Sequence, residues 1–143
     1  MNGLITRDGA AYIFNLFTNG ESAAPTYYVA LVVSAQPGIA VSGDELDEPA
    51  VSEYQRGALA NVSGNWKIDG GTLINMVDID FPVVANDWGQ IRYWAICDEI
   101  DGGRVLFVGT FNTPFIVAIG DQPYVSAQAL SIDLGLSEWR VSE

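Results

Sequence analysis

Two stretches, TYYVALVVS at residues 26–34 and GQIRYWAICD at residues 89–98, are largely apolar at odd and even positions alike. A β-strand sends alternate side chains to opposite faces, so such strands need protein cover on both sides. This demand excludes an open one-layer sheet and makes both stretches interior strands. In the second, Ile91, Tyr93, Ala95 and Cys97 share one parity, and Arg92, Trp94, Ile96 and Asp98 share the other.

The rest of the chain supplies partners for them. Over residues 8–19, Ala10, Ile13, Phe14 and Phe17 recur at the spacing of one helical stripe, and Asn19-Gly20 gives a C-terminal stop. This predicts one short amphipathic helix. Residues 35–49, with Pro37, two glycines and the acidic run DELDEP, read as a long exposed loop. A strand is expected at 54–59, and Asp69-Gly70-Gly71 marks a hairpin. Val77, Ile79 and Phe81 alternate with Asp78 and Asp80, as in a half-buried strand. Asp101-Gly102-Gly103 turns the second doubly apolar strand back into RVLFVGTF, residues 104–111, which Thr113-Pro114 should end. The segment FIVAI, a GDQP turn and a last strand at 128–134 follow, then a polar tail at 135–143. Strand signals about ten residues apart predict a mainly β, antiparallel β-sandwich, Ig-like or jelly-roll-like, as a single domain over 1–143. The helix would cover an open end or edge.

Composition narrows the chemistry. At 143 residues with 49% hydrophobic and 17% charged positions, the chain can bury a core without staples. Its net charge of −12 repels phosphate backbones and anionic lipid, so nucleic acid and membranes are excluded as partners. No apolar run approaches the length of a membrane span, and the N-terminus has no cleavage-site pattern, so a soluble, intracellularly made protein is expected. The absence of histidine removes the usual general base and the commonest metal ligand.

Each candidate site has a plainer reading. Asp98, Glu99 and Asp101, and likewise Asp44, Glu45, Asp47 and Glu48, resemble Ca²⁺ ligands only in charge, without EF-hand spacing, and read as solvated turns. Asp78 and Asp80 read as a strand's wet face rather than a glycosidase pair. Cys97 lacks an activating histidine and reads as a small buried hydrophobe. Asn61-Val62-Ser63 fits a glycosylation sequon but reads as a turn. No nucleotide or zinc motif is present, so no catalytic residue, cofactor or metal is expected. The aromatic residues Phe14, Phe17, Trp66, Trp88, Trp94 and Trp139 are the candidates for structural and interface roles.

The order YYVALV, DELDEP, YQR, IDFP, DWGQIRYWAICD, GGRVLFVG, TP, GD and ALSIDL resembles small virion proteins of tailed bacteriophages, labelled tail-fibre-like or head-decoration proteins. The most specific pieces are Phe81-Pro82, Asp87-Trp88-Gly89, Ala95-Ile96 with Asp98, and Gly102-Gly103 with Leu106 and Gly109. The resemblance implies a non-enzymatic β-sandwich module of the virion, made in the host bacterial cytoplasm, that associates with itself as a homotrimer and with major capsid or tail proteins. The tail GLSEWRVSE departs from the family pattern and reads as an anchor to another virion component. A carbohydrate-recognising module is the alternative, with Trp66, Trp88 and Trp94 as exposed platforms and acidic loops for a host surface glycan or Ca²⁺.

Overall fold

The computed structural model describes residues 2–18, 23–34, 37, 38, 40–62, 64–69 and 72–133. In chain order the elements are β1 (Asn2–Ile5), α1 (Arg7–Thr18), β2 (Thr26–Val32), a 3-10 turn (Gly43–Glu45), β3 (Gly57–Ala60), β4 (Trp66–Asp69), β5 (Thr72–Asn75), β6 (Ile79–Asp80), β7 (Gln90–Cys97), β8 (Val105–Ile116), β9 (Tyr124–Val125) and β10 (Ser131–Asp133). Eight strands form one sheet in the order β3-β2-β7-β8-β1-β10-β5-β4, and β6 pairs with β9 in a second, small one. All the pairings are antiparallel except β1 with β10. The protein is thus mainly β, with antiparallel sheets and one short helix near the N-terminus.

The doubly apolar strands β2 and β7 are neighbours, with Val29 opposite Ile96 and Leu31 opposite Trp94. These four point into the main core together with Leu106, Leu130 and Ile132. On the reverse face, Ala30, Ala95, Cys97, Val105 and Val108 form a second small core beneath Val41 and Leu46. Both faces are covered, as the composition of the strands demands. The described part of that loop from 40 to 49 is therefore a packed lid through the inward Val41 and Leu46, while the acidic Asp44, Glu45 and Asp47 face outward and hid them in the sequence. A register shift between Ile91 and Tyr93 moves Ile91 onto the same core as Trp94 and Ile96, which simple alternation does not anticipate.

The sheet bends over on itself. Between β2 and β4 lie six strand spacings, about 29 Å if the sheet were flat. Yet the Tyr27 and Trp66 rings meet edge to face with centroids 6.1 Å apart. The two halves of one curled sheet thereby become the two layers that enclose the core. α1 lies against β8 and reaches Tyr27: Gly9 sits where a Cβ would be 2.0 Å from the Leu106 carbonyl oxygen, and the Tyr12 and Tyr27 hydroxyls are 2.9 Å apart. Thr6 caps α1, its Oγ1 accepting from Gly9 N at 2.9 Å while lying against the Val105 and Leu106 carbonyls. Tyr12 is buried and Ala10 exposed, so the stripe facing the sheet runs through Gly9, Tyr12 and Ile13 rather than Ala10.

Several boundaries differ from the sequence reading, each for a local reason. β1 was not anticipated, because NGLI is short and depends on the lane between β8 and β10. β3 starts at Gly57 rather than 54, since Tyr54 and Arg56 turn their side chains to other partners. β8 continues through Thr113-Pro114 to Ile116. Phe111 to Pro114 stand opposite Arg92 alone, so the proline's missing N–H costs no ladder bond there. β6 holds only Ile79 and Asp80, and Val77 is 36% exposed because Asp78 instead accepts Ala127 N at 2.8 Å. β10 begins at Ser131, since Gln128 belongs to a turn with φ of 68°. The helix stop at Asn19-Gly20, Asp69's following glycines 70 and 71, Leu134 and the tail lie outside the described residues, as do the side chains of Phe14 and Phe17.

Trp94 explains one of the glycines in the family-like pattern. Its ring lies against β8 where Gly109 pairs with it, and a Cβ at 109 would come 2.1 Å from Trp94 Cζ2. Gly109→Ala should therefore destabilise the fold by about 1–3 kcal/mol through overpacking, read as a lower urea midpoint with an unchanged m-value. An unaltered midpoint would mean that the ring can shift aside.

Candidate assembly surfaces

The hairpin tip DEIDGG is held from inside by one arginine. Arg56 is 4% exposed. Its Nε donates to Glu48 Oε1 at 2.9 Å, and Nη1 donates to the carbonyls of Glu99 (2.9 Å) and Gly102 (2.8 Å). Its Nη2 donates to Gly43 O at 3.0 Å and Glu48 Oε2 at 2.9 Å. Guanidinium has five N–H donors, and all five have acceptors. Tyr54 adds a further tie, donating to Glu48 Oε1 at 2.7 Å and accepting from Leu31 N at 3.0 Å; burial, then the neighbouring Glu48 carboxylate, raises its hydroxyl pKa.

The acidic turns have structural tasks. Asp98 accepts from the backbone N–H of Arg104 and pairs with its Nε, both at 2.7 Å, which closes the turn around Gly102 and Gly103, at φ of 63° and 74°. Asp44 and Glu45 bond to Ser42 at the 3-10 turn. The Ser42 hydroxyl lowers the Asp44 pKa, and the Ser42 backbone N–H, then its hydroxyl, lowers that of Glu45. Among the described residues no three His, Cys, Asp or Glu side chains are placed to hold a metal ion. Cys97 is fully buried, and burial pushes its thiol up to about 12 against the lowering effect of Arg56. It packs as a small hydrophobe.

The tryptophans divide. Trp94 is 0% and Trp88 2% exposed, so neither offers a ring face to a sugar or a neighbouring subunit; the expectation of exposed platforms fails for both because the core takes their rings. Trp66 is half-buried against Tyr27. Trp139 lies outside the described residues. Trp88 is pinned by a residue that the sequence reading missed: Glu53 Oε2 accepts from Trp88 Nε1 at 2.7 Å and from the backbone N–H groups of Ala85 and Asn86 at 2.9 Å. Asn86 Nδ2 donates to Glu53 Oε1 at 2.8 Å, and Trp88 stacks edge to face on Tyr54. Asp87 Oδ1 accepts from Gly89 N at 2.8 Å, with Gly89 at φ 81°. DWG is thus a turn tied to the 51–54 segment.

Among the described residues the three most exposed large apolar side chains gather at the other end of β8. Ile116, Ile119 and Tyr124 are 71%, 69% and 60% exposed. Ile116 and Tyr124 border a hollow of about 460 Å³ that also includes Phe115 and Val117. Beside it runs a groove of about 620 Å³ between β8 (Phe111 to Phe115) and the segment 123–129, with Leu31 and Phe81 among its lining; none of its lining side chains is charged. The far wall is fixed by Asn75, 0% exposed, another residue not foreseen from sequence. Asn75 Nδ2 donates to the carbonyls of Val77 and Ser126, Oδ1 accepts from Leu130 N at 2.8 Å, and its own carbonyl accepts from Gln128 N at 2.6 Å. These bonds hold Gln128 in its left-handed conformation. A lone amide within the apolar run LINMV was the available signal.

A family model described as podophage GP4 fiber I protein gp80 matches residues 8–133. No curated protein matches the sequence.

Two predictions follow from the buried ties. Arg56→Met leaves the partly buried Glu48 carboxylate without its partner and should cost about 3 kcal/mol, with Arg56→Lys recovering only part because an ammonium lacks the planar fork; chemical denaturation measures both. For Glu53, the Asn86 amide, opposed by partial desolvation and then aided by Trp88 and the two backbone N–H groups, holds the carboxyl from 4.5 down to about 2. The folded pKa is depressed, so this stabilisation is complete above about pH 4.5 and is lost as pH falls through about 2. Thermal melts of the wild type and Glu53→Gln from pH 2 to 6 should converge toward the acid end, separate as pH rises to about 4.5, and keep a constant gap above it.

Proposed function

The chain belongs to the podophage GP4 fiber I protein gp80 family, and we propose that it is a non-enzymatic structural subunit of a tailed-phage virion, assembling as a fibre module. The observation that carries this reading is the family match over residues 8–133. Between capsid decoration and fibre, the family description favours the fibre.

The surface supports self-association. Copies that each carry −12 repel one another, so contact is cheapest where charge is lowest. Ile116, Ile119 and Tyr124 lie on such a surface, where Asp121 is the only charged residue bordering the hollow. A homotrimer arranged about a threefold axis would repeat this face symmetrically and multiply weak contacts. Partners are then other copies of the chain and the virion proteins that it joins. The glycan reading loses two of its three platforms with the burial of Trp88 and Trp94.

Purified phage particles should contain the protein by mass spectrometry, and the isolated protein should sediment as a trimer. Ile116→Asp with Ile119→Asp should dissociate it to a monomer with an unchanged far-UV circular dichroism spectrum, since neither side chain belongs to the subunit's own core. Absence from particles, or a wild type that sediments as a monomer at micromolar concentration, would count against the assignment.

A further inference from the structure

The groove beside β8 continues a strand position that β1 leaves open. β1 lies between β8 and β10, and its pairing ends at Gly3 opposite Gly109 on one side and Asn2 opposite Ser131 on the other. Beyond that level, β8 runs on to Ile116, while the chain leading into β10 passes through Ser126, Gln128 and Ala129. Among the described residues no strand lies between them, and the groove of about 620 Å³ occupies that place. Its β8 wall, Phe111 to Phe115, is about 17 Å of extended chain. Its shape is therefore that of one missing strand, with an unpaired β8 edge and uncharged side chains on either hand.

We propose that this groove receives the C-terminal segment, residues 134–143, of a second copy of the chain, so that subunits join head to tail; the proposal rests on the assembly reading above. The segment is LGLSEWRVSE, with apolar Leu134, Leu136, Trp139 and Val141. Ten residues reach about 33–36 Å when extended, enough to leave one subunit and line the groove of the next. The chain's own groove is poorly placed for it. β10 enters at the groove end with Leu130 and leaves at Asp133, beside Thr72, at the opposite end of the strand. To return, the segment would have to run back alongside β10, whose two neighbouring positions are already taken by β1 and β5. A donor at one end and an acceptor at the other make a heterologous contact, which closes into a ring when the rotation allows and otherwise extends as a filament. Main-chain pairing to the β8 edge would supply affinity, and the pockets between Phe111, Phe115 and Tyr124 would select the apolar side chains.

The test is a full-length double variant, Thr113→Cys in the groove wall and Ser137→Cys in the segment, oxidised with diamide. The one native thiol, Cys97, is fully buried and does not compete. Peptide mapping of a heavy/light isotope mixture should find a disulfide joining residues 113 and 137 of different chains. In parallel, Trp139→Ala should shift sedimentation toward monomer with an unchanged far-UV circular dichroism spectrum. A 113–137 link within one chain would overturn the proposal in favour of the chain's own segment, and no such link at all would overturn it outright. Detection of the protein in particles is scored separately: presence there without the crosslink removes only this contact, whereas the crosslink without presence in particles removes the virion assignment.

Discussion

Everything on the outer face of the sheet hangs from the Arg56 guanidinium. Its five donors gather carbonyls and a carboxylate from two separate segments: the lid at Gly43 and Glu48, and the turn at Glu99 and Gly102. A buried charge is costly to desolvate, and this one is tolerated because no donor is left over and Glu48 neutralises it. The lid so held covers Ala30, Ala95 and Cys97. Without that cover the outer faces of β2 and β7 would be exposed apolar surface. The arginine thus makes it possible for the same two strands to serve two cores.

The inner face is organised by different physics. Closure of the sheet is an aromatic matter: Tyr12 meets Tyr27, Tyr27 meets Trp66, and Trp94 settles on Gly109. Gly109 makes room for the Trp94 ring and Gly9 lets α1 approach the Leu106 backbone, each by lacking a Cβ.

The fold class was legible because it depends on periodicity. The parity of residues 26–34 and 89–98 demanded a sheet covered on both sides, and the turn glycines at 102 and 103 placed the hairpin between β7 and β8. What escaped depends on partners remote in sequence. Nothing local marks NGLI as a strand until β8 and β10 offer it a lane. Pro114 reads as a break unless one knows that four residues of β8 face Arg92 alone. Arg56, Glu53 and Asn75, which hold the lid, the DWG turn and the groove wall, are single polar residues whose importance lies in bonds spanning up to 55 positions. The tryptophans drew attention by size, yet the exposed surface is made by aliphatic residues and Tyr124, which composition alone does not single out.

The placement of these features gives the subunit a direction. Its rigid ties, Arg56 with Glu48 and Glu53 with Trp88, fix the lid and the loops, whereas the uncharged groove and the exposed isoleucines gather around the far part of β8. An open strand edge is ordinarily a liability, because any extended chain can add to it. Here a strand added to that edge would also have to fit the rings of Phe111, Phe115 and Tyr124 that line the groove. The same strand that closes the core on one side thereby presents, at its end, an edge that discriminates by side chain, and discrimination of that kind separates ordered assembly from aggregation.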